Sequence, residues 1–306
     1  MMRTLRKTMN SIHRLRLVSC SRGSGVCLDV LTSLPFMAAV LTAAVVFVST
    51  AQAQQTAPSG GQESESELAK KTQNPVADLI SVPFQNNFNF GAGSKDRMVY
   101  ILNVQPVIPI HLTENWNLIA RIITPIINQP SLFPHVDNAA GLGDINPTVF
   151  LSPSKSSKLI WGVGPTMTFP TASNNLLGNG KWSMGPSAVG LFMSGPWVVG
   201  ALANQQWSFA GWGNKDVNQF LVQPFLNYNF SHGWYLTSAP IITGDFSASS
   251  GNHWTVPVGG GGGKIWRVGK VGLPVNTQVQ AFFNAERPRF GPDWQLRFQL
   301  QFLFPK

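Results

Sequence analysis

Asp293 to Lys306 reads DWQLRFQLQFLFPK, and the choice of fold turns on how this stretch is read. Trp294, Leu296, Phe298, Leu300, Phe302 and Phe304 fall on one parity, and Gln295, Arg297, Gln299 and Gln301 on the other. Side chains alternate faces along a strand, so the stretch shows an apolar row to one medium and amides plus a guanidinium to another. In a soluble sandwich the apolar row would be core and the polar row would meet bulk water. In a transmembrane barrel the apolar row meets lipid and the polar row a wet lumen.

Composition favours the second medium. Of the 306 residues only 11% are Asp, Glu, Lys or Arg, against roughly 25% in an ordinary soluble protein. The net charge of +9 does not mark a nucleic-acid partner. Arg3, Arg6, Lys7, Arg14, Arg16 and Arg22 against Asp29 place +5 of it within residues 1–53, and the +4 beyond is unclustered. That first stretch has the order of a signal peptide: basic residues, an apolar run from Leu34 to Val48, then Ala51-Gln52-Ala53 as a small-x-small cleavage site. Cleavage is expected after Ala53, which removes both cysteines, Cys20 and Cys27, and leaves an exported chain without disulfides or thiolate chemistry.

Residues 54–66 are polar and predict a flexible linker, and Glu67 to Ile80 a short helical turn interrupted at Pro75. Together residues 54–79 read as a periplasmic linker ending in a short plug-like segment. From Ser81 onward period-two alternation recurs between turn-forming residues. Twelve segments emerge, near 80–91, 97–110, 115–127, 144–152, 158–170, 183–193, 196–209, 216–230, 233–244, 253–266, 269–284 and 293–304. Short connections, around Thr113, Ser154, Gly195, His232 and Gly269, alternate with longer ones around Ser94, Pro134, Asn175, Gly213, Ser249 and Pro288. This rhythm and the even count predict an all-β fold, an up-and-down antiparallel barrel of about twelve strands over residues 80–306.

Tryptophan and charge agree with that topology. Trp116, Trp161, Trp197, Trp234 and Trp266 sit beside short turns, and Trp182, Trp207, Trp212, Trp254 and Trp294 beside longer loops, as two interfacial girdles require. Arg121 and Arg297 fall on the parity opposite the apolar stripes, where a lumen would receive them. An Arg facing lipid at mid-depth would cost about 2–4 kcal/mol. Gln105, Arg121, Gln223, Asn276, Gln278, Arg297 and Gln299 are the expected lumen residues along a solute path; their alternative role is to hydrogen-bond across a closed lumen. Proline resists the scheme. Pro83, Pro106, Pro125, Pro147, Pro165, Pro186, Pro224, Pro240, Pro257 and Pro274 put one in ten segments, which predicts broken or bulged strands. Gly259 to Gly263 adds a pliable point in the tenth.

Other chemistry finds little support. Gly263-Lys264 follows a glycine run, but Val258 and Ile265 stand where a phosphate loop needs Gly and Ser or Thr. His111, His135, His232 and His253 lack ligand spacing. Ser231-His232 and Ser249, Ser250 and His253 are the places a serine hydrolase could use, so an outer-membrane lipid or ester hydrolase stays as one alternative and a structural or adhesive barrel as another. No cofactor or metal is expected.

Leu68 to Gly91 (LAKKTQNPVADLISVPFQNNFNFG), Asn103 to Ile110 (NVQPVIPI) and Gly141 to Asp144 (GLGD) resemble a bacterial family named for the meta-pathway of phenol degradation. Its members are often simply called transporters and sometimes mislabelled neuromedin U. The likeness covers about residues 66–306. It implies an outer-membrane barrel associated with uptake of hydrophobic or aromatic compounds. Asn74-Pro75-Val76 also resembles the Asn-Pro-Ala hatch motif of the long-chain fatty-acid channels, with a different third residue and a shorter hatch, and marks Asn74 and Pro75 as plug residues. The C-terminal strand, ending in Phe304-Pro305-Lys306, resembles the signal by which such barrels meet the assembly machinery. The expected partners are thus outer-membrane lipid, that machinery and a small-molecule solute.

Overall fold

The computed structural model describes residues 64–155, 158–269 and 272–304; the predicted signal peptide and most of the linker lie outside them. Twelve antiparallel strands form one closed barrel. In order they are β1 (Ile80–Ala92), β2 (Arg97–Val104 and Val107–Thr113), β3 (Trp116–Gln129), β4 (Ala139–Leu142 and Asn146–Pro153), β5 (Leu159–Thr168) and β6 (Lys181–Ser194). Then follow β7 (Trp197–Gly211), β8 (Asn218–Asn229), β9 (Trp234–Ser238 and Ile242–Asp245), β10 (Trp254–Val268), β11 (Leu273–Glu286) and β12 (Trp294–Phe304). Each strand pairs with its sequence neighbours, and β12 returns to β1 in unbroken register from Ile80 opposite Phe304 to Phe90 opposite Trp294. Closure leaves no free edge.

The two faces are those the parity predicts. On β11 and β12 the outward Val279, Phe283 and Phe298 are 48%, 64% and 40% exposed, while the inward Gln280, Asn276 and Arg297 are buried. Leu236, Phe192, Val199 and Val258 extend the apolar exterior around the wall. So continuous an apolar surface marks a lipid-facing band. Among the described residues no helix is long and apolar enough to cross a membrane; the strands, of 10 to 15 residues where unbroken, are long enough.

The prolines resolve into several devices. β2 breaks at Gln105-Pro106, where Gln105 N–H reaches Pro83 C=O and Ile122 N–H reaches Pro106 C=O. β4 breaks at Gly143 to Ile145, opposite Pro125, whose carbonyl accepts from Gly143 N–H. There Asp144 accepts from the backbone N–H of Ala172 and Asn179, which explains the GLGD stretch as a loop anchor. β9 breaks around Pro240, and β10 shifts register between Val256 and Pro257. Pro165 and Pro186 simply face each other in the β5–β6 ladder. Among the described residues the β4–β5 seam, which holds Pro147 and Pro165, pairs at Thr148 with Thr166 and Leu151 with Val163, plus a bridge from Ile145 to Phe169. Side chains supplement it: the Thr148 and Thr166 hydroxyls are 2.8 Å apart, Ser152 Oγ donates to Trp161 C=O at 2.7 Å, and Asn146 Nδ2 to Met167 C=O at 2.6 Å.

The N-terminal segment is more ordered than the polar composition predicts. A helix, α1 (Glu65–Thr72), begins inside the stretch expected to be linker. Ser64 Oγ accepts from Glu67 N–H while the Glu67 carboxylate accepts from Ser64 N–H, a complete capping box, with acids in the first turn and lysines in the last. Its buried Leu68 and Ala69 pack with Ala77, Leu79, Tyr235, Ile265 and Leu303. Ile265 and Leu303 are inward apolar residues at the short-turn end of β10 and β12, so the wall supplies a dry socket for the helix. Gln73 and Asn229 exchange amide hydrogen bonds at 2.9 and 3.0 Å, fixing the helix end to β8.

Candidate functional site: a cavity in the barrel lumen

After α1 the chain turns. Asn74 Oδ1 accepts from Val76 N–H at 3.0 Å and Asn74 C=O from Ala77 N–H, with Pro75 pre-setting the turn between them. The turn drives Val76 into a cluster of inward residues from four strands: Ile119, Phe150, Val189 and Leu202. A Cβ added to Gly162 would lie 3.1 Å from Val76 Cγ1, so the missing side chain on β5 makes the seat. Residues 64–79 therefore occupy part of the lumen. Asn74 and Pro75 act there as turn formers.

Beside this segment lies a cavity of about 160 Å³. All seven residues expected in the lumen line it: Gln105, Arg121, Gln223, Asn276, Gln278, Arg297 and Gln299; Asn74 and Pro75 line it too. Their hydrogen bonds separate wall-building groups from open ones. Tyr235 of β9 lies across Gly263 of β10, where an added Cβ would meet its hydroxyl, and donates to Asn276 Oδ1 at 2.7 Å and Gln278 Oε1 at 3.2 Å. This gives Gly263 a role that the glycine run alone did not reveal. Asn276 and Gln299 both donate to Gln301 Oε1.

The two arginines differ. Arg297 is 3% exposed; its Nε donates to Asn87 Oδ1 at 3.2 Å, Nη1 to Ala239 C=O at 2.9 Å and Nη2 to Gln295 Oε1 at 3.1 Å, and it stacks over Phe282. Ala239 lies in the break of β9, and its N–H is taken by Gln280 Oε1 at 3.0 Å. Arg297 and Gln280 thus replace the ladder bonds that the Pro240 break removes. Strand parity puts Arg297 on the inward face but does not reveal this wall-repairing role. Arg121 is half-buried, and among the described residues its side chain makes one hydrogen bond, Nη2 to Gln105 Oε1 at 2.7 Å. Gln105 in turn donates to Gln85 and Gln85 to Asn87, so an amide relay joins the two guanidinium groups.

The tryptophans lie near the two strand ends. Trp116 and Trp161 meet edge to face at 6.0 Å, and Trp234 and Trp266 at 6.4 Å with Lys264 against both rings, at the end where α1 sits. At the other end Trp294 stacks on Phe90 at 4.1 Å, Trp182 lies tilted against Phe169 at 5.2 Å, and Trp254 meets Phe220 edge to face at 6.4 Å. Trp197 and Trp207 are 45% and 49% exposed at opposite ends of β7. Of the hydrolase candidates, His253 Nδ1 lies 2.9 Å from the Asp245 carbonyl, and Ser249 Oγ accepts from Asn252.

No known family profile matches the chain, and no curated protein matches it in sequence. Among solved structures it is similar to an outer membrane channel from Pseudomonas putida F1, with 16% identity, a TM-score of 0.55 and coverage of 74% of this chain and 94% of that one. A weaker likeness, TM-score 0.40 at 10% identity over 74% of this chain and 98% of the other, is to the outer membrane phospholipase A of Escherichia coli. At these identities the first likeness speaks to the fold, a closed antiparallel barrel of the outer-membrane kind.

Proposed function

We propose that the protein is an outer-membrane channel through which small molecules, hydrophobic and aromatic ones among them, pass without energy input. The observation that carries the reading is an amide- and guanidinium-lined cavity inside a lipid-facing barrel, narrowed by residues 64–79. A wall with an apolar exterior and a polar, partly open interior is what a passage across a bilayer needs. The signal-peptide pattern of residues 1–53 provides export, and the C-terminal strand the contact with the assembly machinery. The outer loops would capture solute, and the N-terminal segment would restrict flow from the periplasmic side.

Swelling of liposomes carrying the refolded barrel tests this. The expected result is faster uptake of phenol-like or small sugar solutes than by empty liposomes. Uptake equal to that of empty liposomes would leave the adhesive alternative, and hydrolysis of esters or lipids lost on replacing Ser250 or His253 would turn the reading to an enzyme.

A further inference from the structure

We propose, resting on the lumen being a solute passage, that its cavity selects small organic carboxylates, with the acid group held by the open edge of Arg121. Three observations converge. The lining contains Lys71, Arg121 and Arg297 and neither an aspartate nor a glutamate. A half-enclosed space with one sign of charge concentrates ions of the other sign. Arg297 spends its donors on the wall, but Arg121 does not: apart from the bond to Gln105, its N–H groups have no acceptor among the described residues.

That single bond also orients Arg121. Gln105 Nε2 is engaged with Gln85, which turns Gln105 Oε1 toward the guanidinium and holds the planar group in place. A fixed planar fork with free N–H groups suits two-point recognition of a carboxylate. Gln223 also lines the cavity, and its side chain makes no hydrogen bond among the described residues, so it adds a second polar group for the same solute. The rest of the solute has an apolar berth, since Ala77, Leu79, Val107, Leu202 and Phe225 line the same space. The volume sets the size. About 160 Å³ is close to the roughly 150 Å³ of a cavity known to hold benzene, so the cavity takes one ring or a short chain.

Equilibrium binding to the detergent-purified barrel, with benzoate, benzyl alcohol and benzylammonium as probes, separates charge from shape. Benzoate should bind at least tenfold more tightly than benzyl alcohol, and benzylammonium more weakly than either. Arg121→Gln, checked for folding by its heat-modifiable migration, should remove that preference, and Arg121→Lys should restore part of it. Equal binding of the three probes by the unaltered protein would overturn the proposal without any variant, as would a benzoate preference that survives Arg121→Gln. The passage itself is read separately, from the reversal potential of the barrel in a planar bilayer under a potassium chloride gradient. A chloride-selective potential that Arg121→Gln diminishes supports both statements. Benzoate binding without conductance or solute flux would overturn the passage on which the proposal rests.

Discussion

Two arginines with the same parity signature do different things, and the difference lies in what surrounds them. Arg297 receives the carbonyl of Ala239, a group orphaned by the break in β9, whereas Arg121 meets one amide and open space. Replacing Arg297 by Met should therefore destabilise the barrel by about 1–3 kcal/mol for each buried group left without a partner, read as a lower urea midpoint of the refolded protein. A midpoint equal to that of the unaltered protein would contradict the wall-repairing role. Parity made the inward direction of both side chains legible in the sequence. It could not show that Ala239 would need a donor, because that need arises only where β9 leaves its ladder. Gly263 is similar: the glycine run was visible, but its use depends on a tyrosine from the neighbouring strand lying across it.

Among the elements, strands were far more legible than the plug. Alternation, turn residues and tryptophan positions each depend on local sequence, and they placed twelve strands to within a few residues except where a strand breaks. Ten prolines were seen, but only the partner strand decides whether a missing N–H ends a ladder or is absorbed in it. Of helix α1 the expected helical turn from Glu67 caught most but not the start, which falls in the stretch expected to be linker, although Ser64 and Glu67 carry a capping-box signal there; its seat was less legible, although Leu303 stands as an apolar intruder on the inward parity of β12. Loss of the cap by Ser64→Ala should cost about 1 kcal/mol of helix stability. Hydrogen exchange of the α1 amides should then rise roughly fivefold, while the strand amides stay protected. Unchanged exchange across α1 would show that the socket alone holds the helix.

For the whole molecule, closure and the lipid-facing surface act together. β12 both completes the ring against β1 and supplies Leu303 to the socket of α1. Deleting residues 302–306 removes the pairs from Val82 with Phe302 to Ile80 with Phe304. The heat-modifiable folded form should become a minor fraction of the protein in the membrane. Normal insertion would refute the assembly role of this strand.

The central claim is that residues 64–79 sit within the path a solute would take, seated by Val76 over Gly162. From residue 54 onward the chain has no cysteine, so a single engineered pair can test this. An ideal Cβ at position 162 lies 3.1 Å from Val76 Cγ1, within disulfide reach. In the double variant Val76→Cys, Gly162→Cys, mild oxidation of the folded barrel should form an intramolecular crosslink. Solute flux into liposomes should be lower in the oxidised form than after reduction. A folded, heat-modifiable barrel that forms no crosslink, or whose flux is the same in both redox states, would contradict the account.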